Sequence, residues 1–312
     1  MRQLIGFLGL VAILLGGSPA WADDPVAFVS EIHRSGKGEA AIKPANADWK
    51  PVQPLMPVHA GDQVRAAGGH SVVLLYRGGA GAQKVSASNS PFTVAAAPSA
   101  RGEQARLVTK AVTDFMSLRQ PPPTYRQAAT RAGGDALTIV SPRQTRLLRG
   151  APTFEWDGPA GLTYAIRVLG PDGVVWSATA LPRKPVTYPA SAPALKDGVQ
   201  YTWELEPAGV PAQRASFEIL SEADAARVRD TLAAVAATGK GYPRATLTLM
   251  RVAVYIDERL YQEARRELDA AAAADREEPT LQQALGHVYE KTGVSTRAVA
   301  AFDRAAKLSG EK

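Results

Sequence analysis

The chain has 312 residues, of which 46% are hydrophobic, with a formal net charge of +6 and no cysteine. The absence of cysteine excludes disulfide bonds, cysteine nucleophiles and thiolate metal sites, so packing alone must stabilise the fold. The length is sufficient for two or three hydrophobic cores, because domains typically have about 100 to 150 residues. Basic and acidic residues are spread along the sequence, so we expect no binding to nucleic acid.

The first 22 residues have the three parts of a secretory signal peptide. A cationic start at Arg2 precedes an apolar run over 4–15, and small residues occupy the cleavage positions Ala20 and Ala22. An uncleaved membrane anchor is the alternative, although about 20 apolar residues are normally needed to cross a bilayer. We therefore expect export, to the periplasm or as a secreted protein, with no transmembrane segment in the mature chain from Asp23.

Short apolar runs broken by Gly, Pro and Asn over 26–94 predict an antiparallel sheet. Their landmarks, in order, are an apolar run at 26–32, Trp49, Leu55, Gly61-Asp62-Gln63-Val64, Gly68-Gly69, an apolar run at 72–76 and Gly78-Gly79. This ordered series resembles the FecR-type extracytoplasmic domain, and the resemblance implies an all-β fold. FecR regulators carry an anti-sigma segment and a membrane helix before this domain. A signal peptide precedes it here, so we do not expect direct transcriptional signalling.

An amphipathic helix is predicted over 104–118, where apolar residues recur with helical spacing. We expect this helix to pack back on the sheet, and we assign 23–118 to a FecR-like β domain with a trailing helix. Three consecutive prolines end the helix, and residues 119–135 predict an extended linker rich in Pro and Gly. A ligand for proline-recognition domains is the alternative interpretation of the prolines.

Seven strand-like runs predict a β-sandwich over 136–220. The runs are 137–140, 152–156, 162–169, 174–179, 186–188, 199–206 and 215–220. Leu195, Gly198 and Tyr201 have the spacing of a tyrosine corner, in which the ring hydroxyl bonds back to the chain, and Trp156 lies on the second run. These residues resemble a fibronectin type III or related immunoglobulin-like domain. Such a module commonly spaces or docks others.

Two features of this middle segment have a second interpretation. We interpret its aromatic residues as core, and a sugar-binding platform built from Trp176 and Tyr188 is the alternative. Arg143, Arg146 and Arg149 are spaced by three, which predicts solvated charges at a strand edge. A patch that binds anions or phospholipids is the other interpretation of the three arginines.

Helices are predicted over 221–312, and the last two helical pairs repeat each other. When the sequence is shifted by 34 residues, Tyr289, Ala298, Phe302 and Ala305 fall on Tyr255, Ala264, Leu268 and Ala271. With Leu285, Gly286 and Gly293, these spacings resemble the tetratricopeptide repeat, so we assign two such repeats to this all-α domain. Because about three repeats are usually needed for stability, we expect the helix over 222–237 or the sandwich to cover the open end.

Resemblance to tetratricopeptide repeats implies that a ligand binds to the inner face of the first helix of each pair. That face carries Thr280, Gln283, His287 and Glu290 on the last repeat and, at the same offsets, Thr246, Leu249, Ala253 and Ile256 on the earlier one. A peptide with one apolar and one polar end would fit these residues. The alternative is that Leu249 and Ile256 pack against the preceding helix.

The sequence patterns of catalytic and cofactor sites are absent. The four histidines lie far apart, and none has a second ligand-type residue at metal spacing. Phosphate loops, dinucleotide sites and Gly-x-Ser-x-Gly motifs are not found. We therefore predict no metal, no cofactor and no enzymatic activity, and we interpret Glu277-Glu278 as a solvated helix cap.

The sequence as a whole predicts a multidomain protein: an all-β domain, an immunoglobulin-like β-sandwich and an all-α helical-repeat domain. The leading hypothesis is a non-catalytic protein of the cell envelope, a scaffold or adaptor that binds a protein partner. The alternative hypothesis is a carbohydrate-binding or peptidoglycan-binding module that holds cell-wall glycan through its β domains.

Overall fold

The computed structural model describes residues 24–45, 47–77, 81–96, 103–118, 137–148 and 151–310. Strands, one α-helix and a short 3₁₀ helix at Ala87–Asn89 precede residue 220, and helices alone follow, so the predicted order of sheet-rich and all-helical regions is confirmed. The predicted signal peptide, the 119–135 linker and the Gly78-Gly79 turn lie outside the described residues. None of the helices in the described ranges is long and apolar enough to cross a membrane.

The described residues of the first region form eight strands in two antiparallel sheets. They are β1 Ala27–His33, β2 Ala40–Lys43, β3 Lys50–Pro51, β4 Pro57–Val58, β5 Gln63–Ala66, β6 Ser71–Tyr76, β7 Ala82–Ser86 and β8 Phe92–Thr93. The sheets have the orders β4-β1-β6-β7 and β3-β2-β5-β8. On β6, Leu74 packs in the core between the sheets, whereas Leu75 belongs to a cluster shared with the helices. The first sheet is therefore covered on both faces, as the continuous apolar run predicts.

Over 137–148 and 151–220, the middle region forms eight strands in two further sheets. They are β9 Thr138–Ser141, β10 Thr145–Leu147, β11 Thr153–Asp157, β12 Tyr164–Gly170, β13 Gly173–Leu181, β14 Val186–Thr187, β15 Gln200–Pro207 and β16 Gln213–Ile219. Their orders are β10-β16-β15-β12-β13 and β14-β11-β9. All seven predicted runs are strands, and β10 is an addition that pairs in parallel with β16. The hydroxyl of Tyr201 accepts a hydrogen bond from the backbone nitrogen of Lys196 at 2.7 Å, so the predicted bond back to the chain is present.

Six α-helices complete the described part of the chain. They are α1 Glu103–Met116, α2 Glu222–Thr238, α3 Arg244–Asp257, α4 Tyr261–Ala274, α5 Pro279–Lys291 and α6 Ser295–Leu308. Helices α3 and α4 form the first pair, and α5 and α6 form the second. The second pair packs closely because Gly286 has no side chain, and a Cβ atom there would lie 2.4 Å from a ring carbon of Phe302.

The main neighbours of α1 are α3 and α2, and its apolar residues also share a cluster with Phe28 and Leu75 of the first sheet, as expected. Val112 and Phe115 of α1 share a cluster with Leu249 of α3, and Lys110 reaches the carboxylate of Asp257 at 3.0 Å. The physical reason is that two helical repeats leave an apolar end that needs cover. Helix α2, which also packs against α3, supplies the rest of that cover, as the sequence predicts.

One apolar cluster joins the first β region to the helices. It includes Phe28 and Leu75 of the sheet, Phe115 of α1, and Leu249 and Phe302 of the helical pairs. Since buried apolar area is the main favourable contribution to folding, the first region and the helices stabilise each other.

Candidate functional site

The inner face of α3 and α5, where the sequence predicts ligand binding, is covered by the chain itself. Of the six predicted partner-binding residues, Thr280, Gln283, His287 and Leu249 are buried, and Ile256 and Glu290 are partly exposed. Strand β1 contacts both helices and occupies this face. A partner could reach the four buried residues only if the structure around them opened.

The polar groups of this face are used in internal contacts. His287 is 1% exposed, its Nε2 lies 3.3 Å from Nε2 of Gln283, and its Nδ1 lies 3.4 Å from Oε2 of Glu290. Its ring packs edge-on against Phe302 with centroids 5.1 Å apart. The contacts with Gln283 and Glu290 lie within α5, and the ring contact with Phe302 joins α5 to α6.

Glu31 of β1 caps the N-terminus of α3. Its Oε1 accepts hydrogen bonds from the backbone nitrogen and from the hydroxyl of Thr246, each at 2.7 Å. Pro243, the residue before α3, makes no side-chain cap bond. Because the first N–H groups of a helix lack intrahelical partners, this distant carboxylate satisfies one of them and interacts favourably with the helix dipole.

Glu278 caps α5 from within the same helical pair. Its Oε1 accepts from the backbone nitrogen of Thr280 at 3.0 Å and from the hydroxyl of the same residue. Its Oε2 accepts from the backbone nitrogen of Ile32 on β1 at 3.0 Å. Glu278 is 1% exposed, so the expectation of a solvated cap is wrong, and burial raises the pKa of this carboxyl to about 7.

His33 lies beside both glutamates on the same side of β1 as Glu31. Its Nε2 is 2.9 Å from Oε2 of Glu31, and its Nδ1 is 3.9 Å from Oε2 of Glu278. The hydrogen bond with Glu31 raises the pKa of His33, and burial opposes the rise. Among the described residues this is the one group of three metal-ligating side chains whose ligand atoms lie within 4.8 Å of one another.

A second contact fastens α6 to the middle region. The guanidinium of Arg297 donates two hydrogen bonds to the carboxylate of Asp157, each 2.9 Å long, and a third to Glu155 at 2.6 Å. Arg265 of α4 reaches the other oxygen of Glu155 at 2.7 Å. Burial would lower the pKa of Arg297, but the bonds to Asp157 and Glu155 outweigh it, and the pKa remains above its ordinary value.

Arg146 fits neither interpretation of the arginine triplet. Its side chain is 20% exposed and pairs with three carboxylates, those of Glu218, Asp224 and Glu258. These residues belong to β16, α2 and the end of α3. Arg146 therefore joins the middle region to two helices, while Arg149 lies outside the described residues.

A cleft of about 440 Å³ opens where the first region meets the C-terminal end of α6. Trp49 lines it with the guanidinium of Arg65 over its ring, 4.4 Å from the centroid. His70 and Ser309 also line the cleft and are 9% and 7% exposed. Within the described part of the chain, the Nδ1 of His70 and the Oγ of Ser309 have no hydrogen-bond partner.

The suggested sugar platform of Trp176 and Tyr188 is not a free aromatic surface. Tyr188 is 5% exposed and meets Trp176 edge-on at 5.4 Å, and Trp176 stacks on Phe154 at 5.8 Å. The hydroxyl of Tyr188 donates a hydrogen bond to the carbonyl of Pro193 at 2.6 Å. The interpretation of these rings as core agrees with this packing.

Sequence reasoning missed the group of Glu31, His33 and Glu278. Its third member lies more than two hundred positions from the other two, so no spacing rule could connect them. One local signal was available, because an acidic residue and a histidine two positions apart on a strand point to the same face.

No protein-family model matches this chain, and no curated protein matches it.

Proposed function

We propose that the protein is a non-catalytic scaffold or adaptor of the cell envelope, exported by its signal peptide, that holds a protein partner. In this proposal a FecR-like region, an immunoglobulin-like region and two tetratricopeptide-like repeats form one rigid assembly. The observation that carries the proposal is the exposed edge strand of the middle region.

That edge strand is β13, which ends the five-stranded sheet and has nine residues. Val174 on it is 59% exposed, and the other large hydrophobic residue exposed in the described part of the chain is Val210 at 38%. An exposed edge strand presents free backbone hydrogen-bonding groups, and a partner can add a strand to them. An apolar side chain on such an edge provides a further contact for that partner.

The internal contacts support a rigid scaffold. Glu31 and Glu278 tie the first region to the helices, and Arg297 ties the helices to the middle region. Since the inner face of the repeats holds β1, the partner surface would lie elsewhere, and β13 is the exposed candidate.

Crosslinking in the native host tests this proposal. A photoreactive amino acid at Ser177, which is exposed on β13, should give one discrete adduct with a protein of the envelope fraction. The same probe with Val174→Lys should lose that adduct, because charge on an edge strand opposes strand addition. The same photoreactive amino acid at Val210, which is exposed but lies outside β13, is the control for crosslinking caused by exposure alone.

Two outcomes would overturn the proposed function. One is an adduct from Ser177 that survives the Val174→Lys substitution, which shows that the edge strand is not the contact. The other is recovery of the protein in the cytoplasmic fraction, which removes the envelope location.

The second candidate function, glycan binding, is favoured by the cleft at Trp49. An aromatic ring with arginine, histidine and serine nearby can stack on a sugar and bond its hydroxyl groups. Trp49→Ala should then abolish co-sedimentation of the protein with purified cell wall, whereas Val174→Lys should leave it unchanged. Equal sedimentation of both variants, or no sedimentation of the parent protein, would exclude the cleft as a glycan site.

A further inference from the structure

Glu31, His33 and Glu278 bring three metal-ligating side chains together at the contact between β1 and the start of α5. One ligand atom from each side chain lies within 4.8 Å of the other two. A tetrahedral ion with bonds of about 2.0 to 2.2 Å places its ligand atoms roughly 3.3 to 3.6 Å apart. Small side-chain shifts would therefore bring all three residues to one ion.

The charges of the group also favour a cation. Glu31 and Glu278 are 2% and 1% exposed, and buried carboxylates normally pair with a fixed positive charge. Among the described residues, His33 is the one ion-pair partner of these two carboxylates, and it carries at most one positive charge. His33 has a side chain 42% exposed, so an ion can enter from solvent beside it.

The helix caps leave ligand atoms available. In Glu31, Oε1 serves the N-terminus of α3, whereas Oε2 faces the imidazole. In Glu278, Oε1 serves Thr280, and Oε2 faces His33 while it accepts from Ile32. Each carboxylate can therefore keep its structural bond with one oxygen and bind an ion with the other.

We propose that this group binds one Zn²⁺ ion through Oε2 of Glu31, Oε2 of Glu278 and one ring nitrogen of His33. Imidazole and carboxylate are both ligands that zinc accepts, and three protein ligands leave one position for water. A dication neutralises both buried carboxylates at once. Because the ligands come from β1 and from the residue before α5, the ion locks the helical pairs onto the first region.

The site goes beyond the proposed scaffold function and does not depend on it. The test uses the purified protein without a polyhistidine tag, after removal of metal with a chelator, and titrates it with ZnCl₂ in a calorimeter. We expect one ion per chain and a rise in Tm of about 5 °C at saturating zinc. MgCl₂ should produce neither effect, because Mg²⁺ prefers octahedral oxygen ligands.

His33→Ala is the decisive variant, because its partly exposed side chain can be removed without opening the core. It should weaken zinc binding at least tenfold, since one of three ligands is lost. His59→Ala is the matched control, because that histidine is also half-exposed, at 39%, and also lies beside a carboxylate, Asp62. It should bind zinc as the parent does.

Co²⁺ provides a readout of the ligands themselves. Its visible absorption should appear in the parent protein and in His59→Ala, and it should vanish in His33→Ala. The proposal is overturned if the parent protein binds no zinc, or if His33→Ala binds zinc and Co²⁺ as the parent does.

Discussion

The two helical pairs have the same repeat spacing, but equivalent positions are stabilised in different ways. The second pair carries its own cap, Glu278, whereas the equivalent position of the first pair is Arg244 and the cap comes from Glu31 on β1. The two capped threonines, Thr280 and Thr246, are themselves equivalent. The cap of the first pair therefore comes from another region, whereas the second pair contains its own cap.

The same difference recurs where the pairs meet the middle region. Arg297 in the second pair binds the carboxylates of Glu155 and Asp157. At the equivalent position of the first pair, Glu263 accepts a hydrogen bond from the backbone nitrogen of Leu148 at 3.0 Å. Repeat similarity thus sets the helix geometry, while capping and docking are supplied by whichever region lies against each pair.

Substitution of Gly286, where α5 and α6 pack most closely, should produce the largest loss of stability. Gly286→Val gives the second pair the residue that the first pair has at Val252, and the ring of Phe302 lies where the new side chain must go. We expect the free energy of unfolding to fall by about 3 kcal/mol or more, measured by urea denaturation.

The double variant Gly286→Val with Phe302→Leu is the control for that exchange. It copies the combination found in the first pair, Val252 with Leu268, and should recover part of the loss. A single variant as stable as the parent would show that the two pairs do not differ in this packing.

Removal of the borrowed cap should have the next largest effect. Glu31→Ala leaves the backbone nitrogen of the fully buried Thr246 without its acceptor, which should cost about 2 kcal/mol. Hydrogen exchange should accelerate at the N-terminus of α3 and not at that of α5.

Arg244→Glu in the Glu31→Ala background tests the comparison directly. It gives the first pair a carboxylate at the position that Glu278 has in the second pair, and it should restore protection at the start of α3. If α3 exchanges no faster in Glu31→Ala, the first pair does not depend on β1 for its cap.

Loss of the ion pair between α6 and β11 should have an intermediate effect. Arg297→Ala removes three charge-assisted bonds from a partly exposed site, and we expect a loss of about 1 to 2 kcal/mol in thermal unfolding. Arg297→Lys should recover little, because lysine cannot bind a carboxylate with two parallel donors. Arg304→Ala on the exposed side of α6 is the control and should change the Tm by less than either.

The smallest expected effect is a pH-dependent gain in stability on substitution of Glu263, the residue of the first pair that is equivalent to Arg297. Burial raises the pKa of Glu263 to about 7, and its Oε2 is buried without a hydrogen-bond partner in the described structure. An unfolded glutamate has a pKa of about 4.3, so the folded state binds the extra proton between these values. Stability therefore falls as pH rises from about 4 to 7.

Glu263→Gln should remove that loss, because the amide stays neutral and its oxygen can still accept from Leu148. We expect a gain in the free energy of unfolding at pH 8 and none at pH 4, from urea denaturation at both values. An unchanged pH slope would show that Glu263 is not the group responsible.

Local patterns predicted most of the elements, and they failed where a partner decides the structure. The continuous apolar run of β6 predicts a strand covered on both faces, whereas the short β10 carries no such run and pairs with β16. The apolar stripe of α1 predicted a helix correctly, while its packing on α3 depended on an open end elsewhere. On the predicted inner face, His287 is buried, and β1 packs against both α3 and α5.

The sequence by itself determined the strands, the helices, their stops and the internal repeat, because these follow from backbone preferences and side-chain spacing over a few residues. The tertiary structure alone decided which faces remain free, which carboxylate caps α3, and that Glu31 and His33 meet Glu278. Those contacts join residues more than two hundred positions apart. Their strength depends on burial and on distances of a few ångströms, which linear spacing does not encode.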